Sequence, residues 1–332
     1  MGVKIVKINT FLPEKIITNQ QLENDFKRWD SEKIEAKLGI RNRHIVKDDE
    51  TALDLAYNAS LEAIKEYDKN KIDFVILCTQ SPDYFLPSGA CILQNKLGLR
   101  TNIGAFDFNL GCSGYIYGLA TAKGLINNNL ADSILLIMSE TYSKHIHKKD
   151  LANLTIFGDG AASTIIEKSE NEHILEFVFG TDGSGFENLI VKNGAFRKKY
   201  DPNAPQIFDN SGNIWTDNNL FMNGPEIFNF TIEKVPKLVD EILIKNEMTL
   251  NDIDYIIFHQ ANKYIIEYLR RKINIPKEKF YSNMLDTGNT VSVTIPLALE
   301  NCINNNTIKK GDKVLLCGFG VGYSWGAAII KF

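Results

Sequence analysis

The chain is poor in cysteine. It has five in 332 residues, at positions 78, 91, 112, 302 and 317, with no C-x-x-C pair. An odd, scattered set does not read as a disulfide framework and points to a reducing compartment. Apolar runs of membrane-spanning length are missing too, so no membrane partner is expected. The first residues, Met-Gly-Val-Lys-Ile-Val-Lys-Ile, alternate like a strand and lack the apolar core of a signal peptide. Val6 breaks the myristoylation pattern that Gly2 would start. Neither sign of charge dominates: the formal net charge is −4, which argues against nucleic acid as a partner. These absences together give a cytoplasmic expectation. Hydrophobic content of 44% and charged content of 23% are those of an ordinary globular protein.

What is present is an internal repeat. Ile72-Asp73-Phe74 opens an apolar run that resembles the one opened by Ile253-Asp254-Tyr255 in the second half of the chain. Leu110-Gly111-Cys112-Ser113 corresponds to Thr287-Gly288-Asn289-Thr290 at almost the same separation. Asp132–Met138 corresponds to Asp312–Gly318, again at almost that separation. The short apolar runs read as buried strands, and helix-like stretches follow at Tyr115–Leu125 and Val293–Asn301. Three ordered matches at nearly one spacing predict an α/β fold of two similar halves, 1–170 and 171–332. The stretch from Val191 to Asn223, rich in Asn, Asp, Lys and Pro, reads as a long functional loop.

The repeat also gathers chemistry. Cys112 stands where a strand becomes a helix, flanked by Gly111 and Gly114. Unpaired N–H groups and the helix dipole at such a start stabilise a thiolate, so a lowered thiol pKa is expected. Asn289 occupies the equivalent helix start of the second half, and His259 ends the strand equivalent to the one ending at Cys78. Strand ends and helix starts are where open α/β folds place catalysis, so Cys112, His259 and Asn289 are the candidate catalytic group. His145-x-His147 has no acidic or cysteine neighbour in sequence, and no metal site is expected. Gly158-Asp-Gly160 and Gly183-Ser-Gly185 lack the lysine of a phosphate loop and read as turns. The four other cysteines read as core residues.

Ordered stretches along the whole chain resemble the β-ketoacyl-acyl carrier protein synthase III family. They are Leu12-Pro-Glu-Lys-Ile-Ile-Thr-Asn19, Gly39-Ile-Arg-Asn-Arg-His44, Asn109-Leu-Gly-Cys-Ser-Gly114 and Phe157-Gly-Asp-Gly160. Met222-Asn-Gly224, His259-Gln-Ala-Asn262, Gly288-Asn-Thr290 and Gly320-Val-Gly-Tyr-Ser-Trp-Gly326 follow in order. The resemblance implies a thiolase-like five-layered αβαβα sandwich of two pseudo-symmetric halves, working as a homodimer. It implies that Cys112 takes an acyl group from a thioester of coenzyme A or acyl carrier protein. His259 and Asn289 would then hold the carbonyl of a malonyl-carrier during decarboxylative Claisen condensation. The N–H groups of Cys112 and Val321 would form an oxyanion hole, and Phe319 would stand beside the malonyl carboxylate. No metal or other cofactor is implied.

Several positions depart from the family pattern. Lys33 stands where a Trp often stacks on the adenine of coenzyme A, and Trp29 could replace it only if the alignment shifts. Leu151 stands where an Arg is common. Both departures point toward a specialised primer. Tyr264 replaces a carrier-docking Arg, with Lys263, Arg270 and Arg271 nearby as the expected docking cations. Leu86 aligns with the residue that a dimer partner inserts at the floor of the acyl pocket, where Phe is frequent. Val321 replaces a Gly, so its φ must be negative or strained. The alternative activity is acyl transfer from Cys112 to an alcohol or amine in secondary metabolism or glycan decoration.

Overall fold

Alternate residues of each central strand feed different cores, and this explains why the strands read as unbroken apolar runs. A computed structural model of the chain describes residues 2–27 and 29–332. Its first sheet holds β1 (Gly2–Phe11), β2 (Phe74–Cys78), β3 (Gly104–Phe108), β4 (Ser133–Glu140) and β5 (Gly160–Ser169). Its second holds β6 (Ile174–Thr181), β7 (Tyr255–Phe258), β8 (Phe280–Tyr281), β9 (Lys313–Gly320) and β10 (Ser324–Lys331). In β4, Ile134, Leu136 and Met138 enter one core, whereas Leu135 and Ile137 enter another. In β9, Val314 and Leu316 share that first core, whereas Leu315, Cys317 and Phe319 face a third. A strand buried on both faces needs apolar residues at every position.

The two sheets repeat one topology. The first runs β1-β5-β4-β2-β3 and the second β6-β10-β9-β7-β8. In each, the inner strand pairs parallel on both sides (β2 with β3 and β4; β7 with β8 and β9). Antiparallel partners complete each sheet. Six helices complete the layers: α1 (Ala52–Ile64), α2 (Gly89–Lys96), α3 (Gly114–Asn127), α4 (Gly224–Lys245), α5 (Lys263–Lys272) and α6 (Thr294–Asn304). α3 and α6 lie between the sheets, where Tyr115, Ile116, Leu119, Ile295, Ala298 and Leu299 pack into the shared core. α1 and α2 cover the first sheet, and α4 and α5 the second. The result is the five-layered αβαβα sandwich of the thiolase fold.

The predicted helix at Tyr115–Leu125 is α3, slightly longer than expected. The one predicted from Val293 begins at Thr294, because a 3-10 turn over Val291–Val293 precedes it. The stretch Val191–Asn223 is mostly loop, with two-residue strands at Ile207–Phe208, Ile214–Trp215 and Phe221–Met222. Cys91 corrects the expectation of four core cysteines: it lies exposed on α2, while Cys78, Cys302 and Cys317 are buried. Among the described residues no helix is long and apolar enough to cross a membrane.

Candidate active site

Cys112, His259 and Asn289 line one cavity of about 430 Å³, with Phe319 beside them. The cavity is mostly apolar, and Lys37, Phe228 and Tyr264 also line it. Each side chain is placed by the element the repeat suggested. Cys112 lies two residues before α3, His259 directly follows β7, and Asn289 lies just before the 3-10 turn that leads into α6. The close approach of the two halves depends on small residues. A Cβ on Gly320 would stand 2.7 Å from the Cys112 Sγ, and one on Gly158 would stand 2.3 Å from the Thr287 carbonyl oxygen. Gly158 is thus a contact point between halves, where a simple turn was expected. Its N–H bonds the Asn289 carbonyl at 3.1 Å, while the Asn289 N–H bonds the Ile156 carbonyl at 2.9 Å.

The thiol overturns one expectation. Burial pushes Cys112 up to about 12, and the neighbouring Glu140 carboxylate pushes the same way. The backbone N–H groups of Val321 and Cys112 act on the sulfur in the opposite sense. Desolvation of the thiolate outweighs them, because the low-dielectric pocket penalises a charge more than two N–H dipoles favour it. Val321 reaches this position without left-handed backbone; it is not among the residues at positive φ.

His259 is buried and held neutral, its pKa pushed down by burial to about 3. Its Nδ1 lies 2.8 Å from the Thr294 hydroxyl, which also lies 3.0 Å from the Val291 carbonyl oxygen. Phe319 packs edge-on against the ring at 5.7 Å. The Asn289 side-chain oxygen accepts the Val291 N–H at 2.9 Å. That bond settles the amide orientation and leaves its NH₂ as a donor. The site therefore combines a thiol under two backbone donors with a neutral imidazole and a carboxamide.

Several site residues carry no signal in the sequence. Tyr142 lines the cavity, and its hydroxyl donates to the Gln80 side-chain oxygen at 2.5 Å. Glu140 is completely buried at the end of β4, its pKa pushed up by burial to about 8. Thr294 and Lys37 are equally unmarked. Lys37 follows Ile34 at helical spacing in Ser31–Leu38, and nothing in that pattern separates it from a solvated lysine.

Of the remaining candidates only Tyr264 lines the cavity. Leu86 is 80% exposed, in a strip with Tyr84 and Phe85, and Phe85 meets Phe196. Arg270 is committed to Glu267 at 3.0 Å and to the Ile275 carbonyl at 2.9 Å. Arg271 bonds the Glu267 carbonyl at 3.2 Å. Tyr264 is half exposed and packs on Phe228. Lys33 is exposed, Leu151 is buried, and Trp29 packs against the cluster formed by Leu38, Ile40 and Ile266. Among the described residues, no group of three His, Cys, Asp or Glu could hold a metal ion.

Two stacked halves that bring a cysteine, a histidine and an asparagine to one cavity define a thiolase-fold condensing enzyme. Comparison with known proteins gives the family. Residues 106–183 match the family described as 3-oxoacyl-[acyl-carrier-protein] synthase III, and residues 243–332 match its C-terminal region. The β-ketoacyl-[acyl-carrier-protein] synthase III of Clostridium perfringens is 37% identical, over 99% of each chain. A crystal structure of a 3-oxoacyl-(acyl-carrier-protein) synthase III is 46% identical with a TM-score of 0.98, covering 100% of both chains. The priming β-ketosynthase of a polyketide biosynthetic pathway is 26% identical with a TM-score of 0.87, covering 100% of this chain and 96% of that one. This chain belongs to the β-ketoacyl-acyl carrier protein synthase III family of acyltransferases.

Proposed function

We propose that the chain takes an acyl group onto Cys112 from a thioester and condenses it with a malonyl-carrier. In the first half-reaction the Cys112 sulfur displaces coenzyme A or a carrier thiol, and the thiol proton leaves with the departing sulfur. In the second, a malonyl thioester loses CO₂ and its enolate carbon attacks the acyl carbonyl. The Cys112–acyl bond breaks, and a proton returns to the sulfur. The product is a β-ketoacyl-carrier. The sequence of steps uses no metal or redox cofactor.

The observation that carries this reading is the pair of neutral donors facing one cavity. When the Thr294 hydroxyl turns its single proton from the Val291 carbonyl to Nδ1, the His259 ring carries its own proton on Nε2, free for a ligand oxygen. The Asn289 NH₂ is free for the same purpose. Two donors aimed at an enolate oxygen suit decarboxylation; plain acyl transfer to an alcohol or amine has no use for them. The N–H groups of Cys112 and Val321 would receive the oxyanion formed at the acyl carbonyl. Phe319 would disfavour a charged carboxylate beside it and so favour loss of CO₂.

Lys263 and Arg271 would meet an acidic acyl carrier protein near the mouth, with Arg270 bracing that helix through Glu267. The exposed strip at Tyr84, Phe85 and Leu86 would be covered by a second copy in a homodimer. The working compartment would be the cytoplasm. Trp29 is packed against an apolar cluster, Lys33 is exposed and Leu151 is buried, so none of these three offers a clamp for an adenine. That favours a specialised primer, and one relative is named as the priming β-ketosynthase of a polyketide pathway.

Intact-protein mass spectrometry tests the proposal. The protein is exposed to a panel of acyl-coenzyme A and acyl-carrier thioesters, with Cys112→Ala as control, and malonyl-carrier is then added. The expected outcome is an adduct on Cys112 that malonyl-carrier removes, with release of CO₂ and β-ketoacyl-carrier. An adduct that persists until an amine or alcohol is supplied would show an acyltransferase instead.

A further inference from the structure

We propose that Glu140 is a positioning residue for the decarboxylation step: through Ser292 it holds the turn that aims Asn289 and His259. The inference rests on the reaction proposed above.

Glu140 is fully buried and does not line the cavity, so it acts on the reaction only through other residues. Its two carboxyl oxygens take bonds from the two halves of the molecule. One accepts the Gln80 N–H at 3.1 Å, two residues past β2. The other accepts the Ser292 hydroxyl at 3.1 Å, in the 3-10 turn Val291–Val293. Among the described residues Glu140 makes no ion pair, so these bonds account for its place better than charge pairing does.

The turn it grips is strained. Val291 has a φ of 57°. For a β-branched residue that conformation is strained and survives only where the surroundings enforce it. The strain has a visible consequence. It puts the Val291 N–H on the Asn289 side-chain oxygen and the Val291 carbonyl on the Thr294 hydroxyl, which in turn touches His259 Nδ1. One turn thus orients both donors. Asn289 is fixed from the other side by Ile156 and Gly158. The residues just after Val291 reach the first half through the Ser292–Glu140 bond. Without it, Val291 can relax toward negative φ and swing both donors off the enolate oxygen. The two donors at the Cys112 sulfur, its own N–H and that of Val321, lie on different segments and keep their places.

The test separates the two half-reactions. Cys112 acylation is followed by mass spectrometry, and CO₂ release is followed after malonyl-acyl carrier protein is added to pre-acylated protein. Ser292→Ala is expected to acylate at close to the wild-type rate, and Glu140→Ala at that rate or faster, since the carboxylate it removes pushes the Cys112 thiol up. Both should lose roughly 10–100-fold in CO₂ release, the usual cost of loosening a positioned donor. Glu140→Gln should stay within a few-fold of wild type. Its carboxamide oxygen can accept the Gln80 N–H while its NH₂ donates to the Ser292 oxygen, so the turn is kept while the charge is removed. Ser292→Ala decides the matter if Glu140→Ala does not fold, since it removes a single hydroxyl.

The inference is overturned if Ser292→Ala releases CO₂ at the wild-type rate. It is equally overturned if both half-reactions fall together, or if Glu140→Gln is as impaired as Ser292→Ala. Failure of the wild-type protein to acylate or to release CO₂ would instead remove the proposed function itself.

Discussion

Cys112 shows how two opposed effects at one residue are weighed. A helix start lowers a thiol pKa, and burial raises it; here burial wins and the thiol sits at about 12. The thiolate fraction should therefore keep increasing well above the usual cysteine range. Alkylation of Cys112 by iodoacetamide, read by mass spectrometry, is expected to climb steadily from pH 8 to pH 10. A plateau by pH 8 would mean that the backbone dipoles dominate after all. Thr294 allows a second residue-scale prediction. Thr294→Val keeps the shape and removes the hydroxyl that touches His259 Nδ1. The histidine is then free to carry its proton on either nitrogen, and CO₂ release should fall about tenfold or more while Cys112 acylation persists. Cys112, His259 and Asn289 were legible because each stands at a repeat-matched strand end or helix start. Glu140, Ser292 and Thr294 were not. Their roles exist only through contacts between residues far apart in sequence, such as the 152 positions separating Glu140 from Ser292.

At the level of elements, the join between the segment 156–158 and the Asn289 segment is the weak point of the site. A methyl group on Gly158 would fall 2.3 Å from the Thr287 carbonyl, and backbone cannot yield cheaply there. Gly158→Ala is expected to destabilise the protein by about 1–3 kcal/mol, typical of overpacking. It should also move Asn289, so that CO₂ release falls more than acylation. Chemical denaturation measures the first effect and the half-reaction assay the second. A variant with wild-type stability would show that the two segments can separate without cost. The strands were readable because burial on both faces leaves an unbroken apolar run, as in β4. Gly158 reads as a turn residue because the sequence does not show what its missing side chain makes room for.

The largest scale concerns assembly. Tyr84, Phe85 and Leu86 are 61%, 72% and 80% exposed, more apolar surface in one strip than a monomer usually leaves bare. The protein is expected to sediment as a dimer, and Phe85→Asp should shift it toward monomer and lower activity with it. A wild-type monomer at micromolar concentration, active in condensation, would remove the dimer and the role proposed for Leu86.

The sequence by itself determined the doubled α/β architecture. A buried strand must be apolar throughout, and three such matches kept at nearly one spacing then imply two similar sheets. It also singled out Cys112, His259 and Asn289, which the fold brings to one cavity, because residues at strand ends and helix starts stand in recognisable local motifs. Only the tertiary structure decided the protonation of Cys112, the orientation of the Asn289 amide and the strained turn held by Glu140. Those depend on desolvation and on hydrogen bonds between the two halves, and neither exists until the halves are packed together.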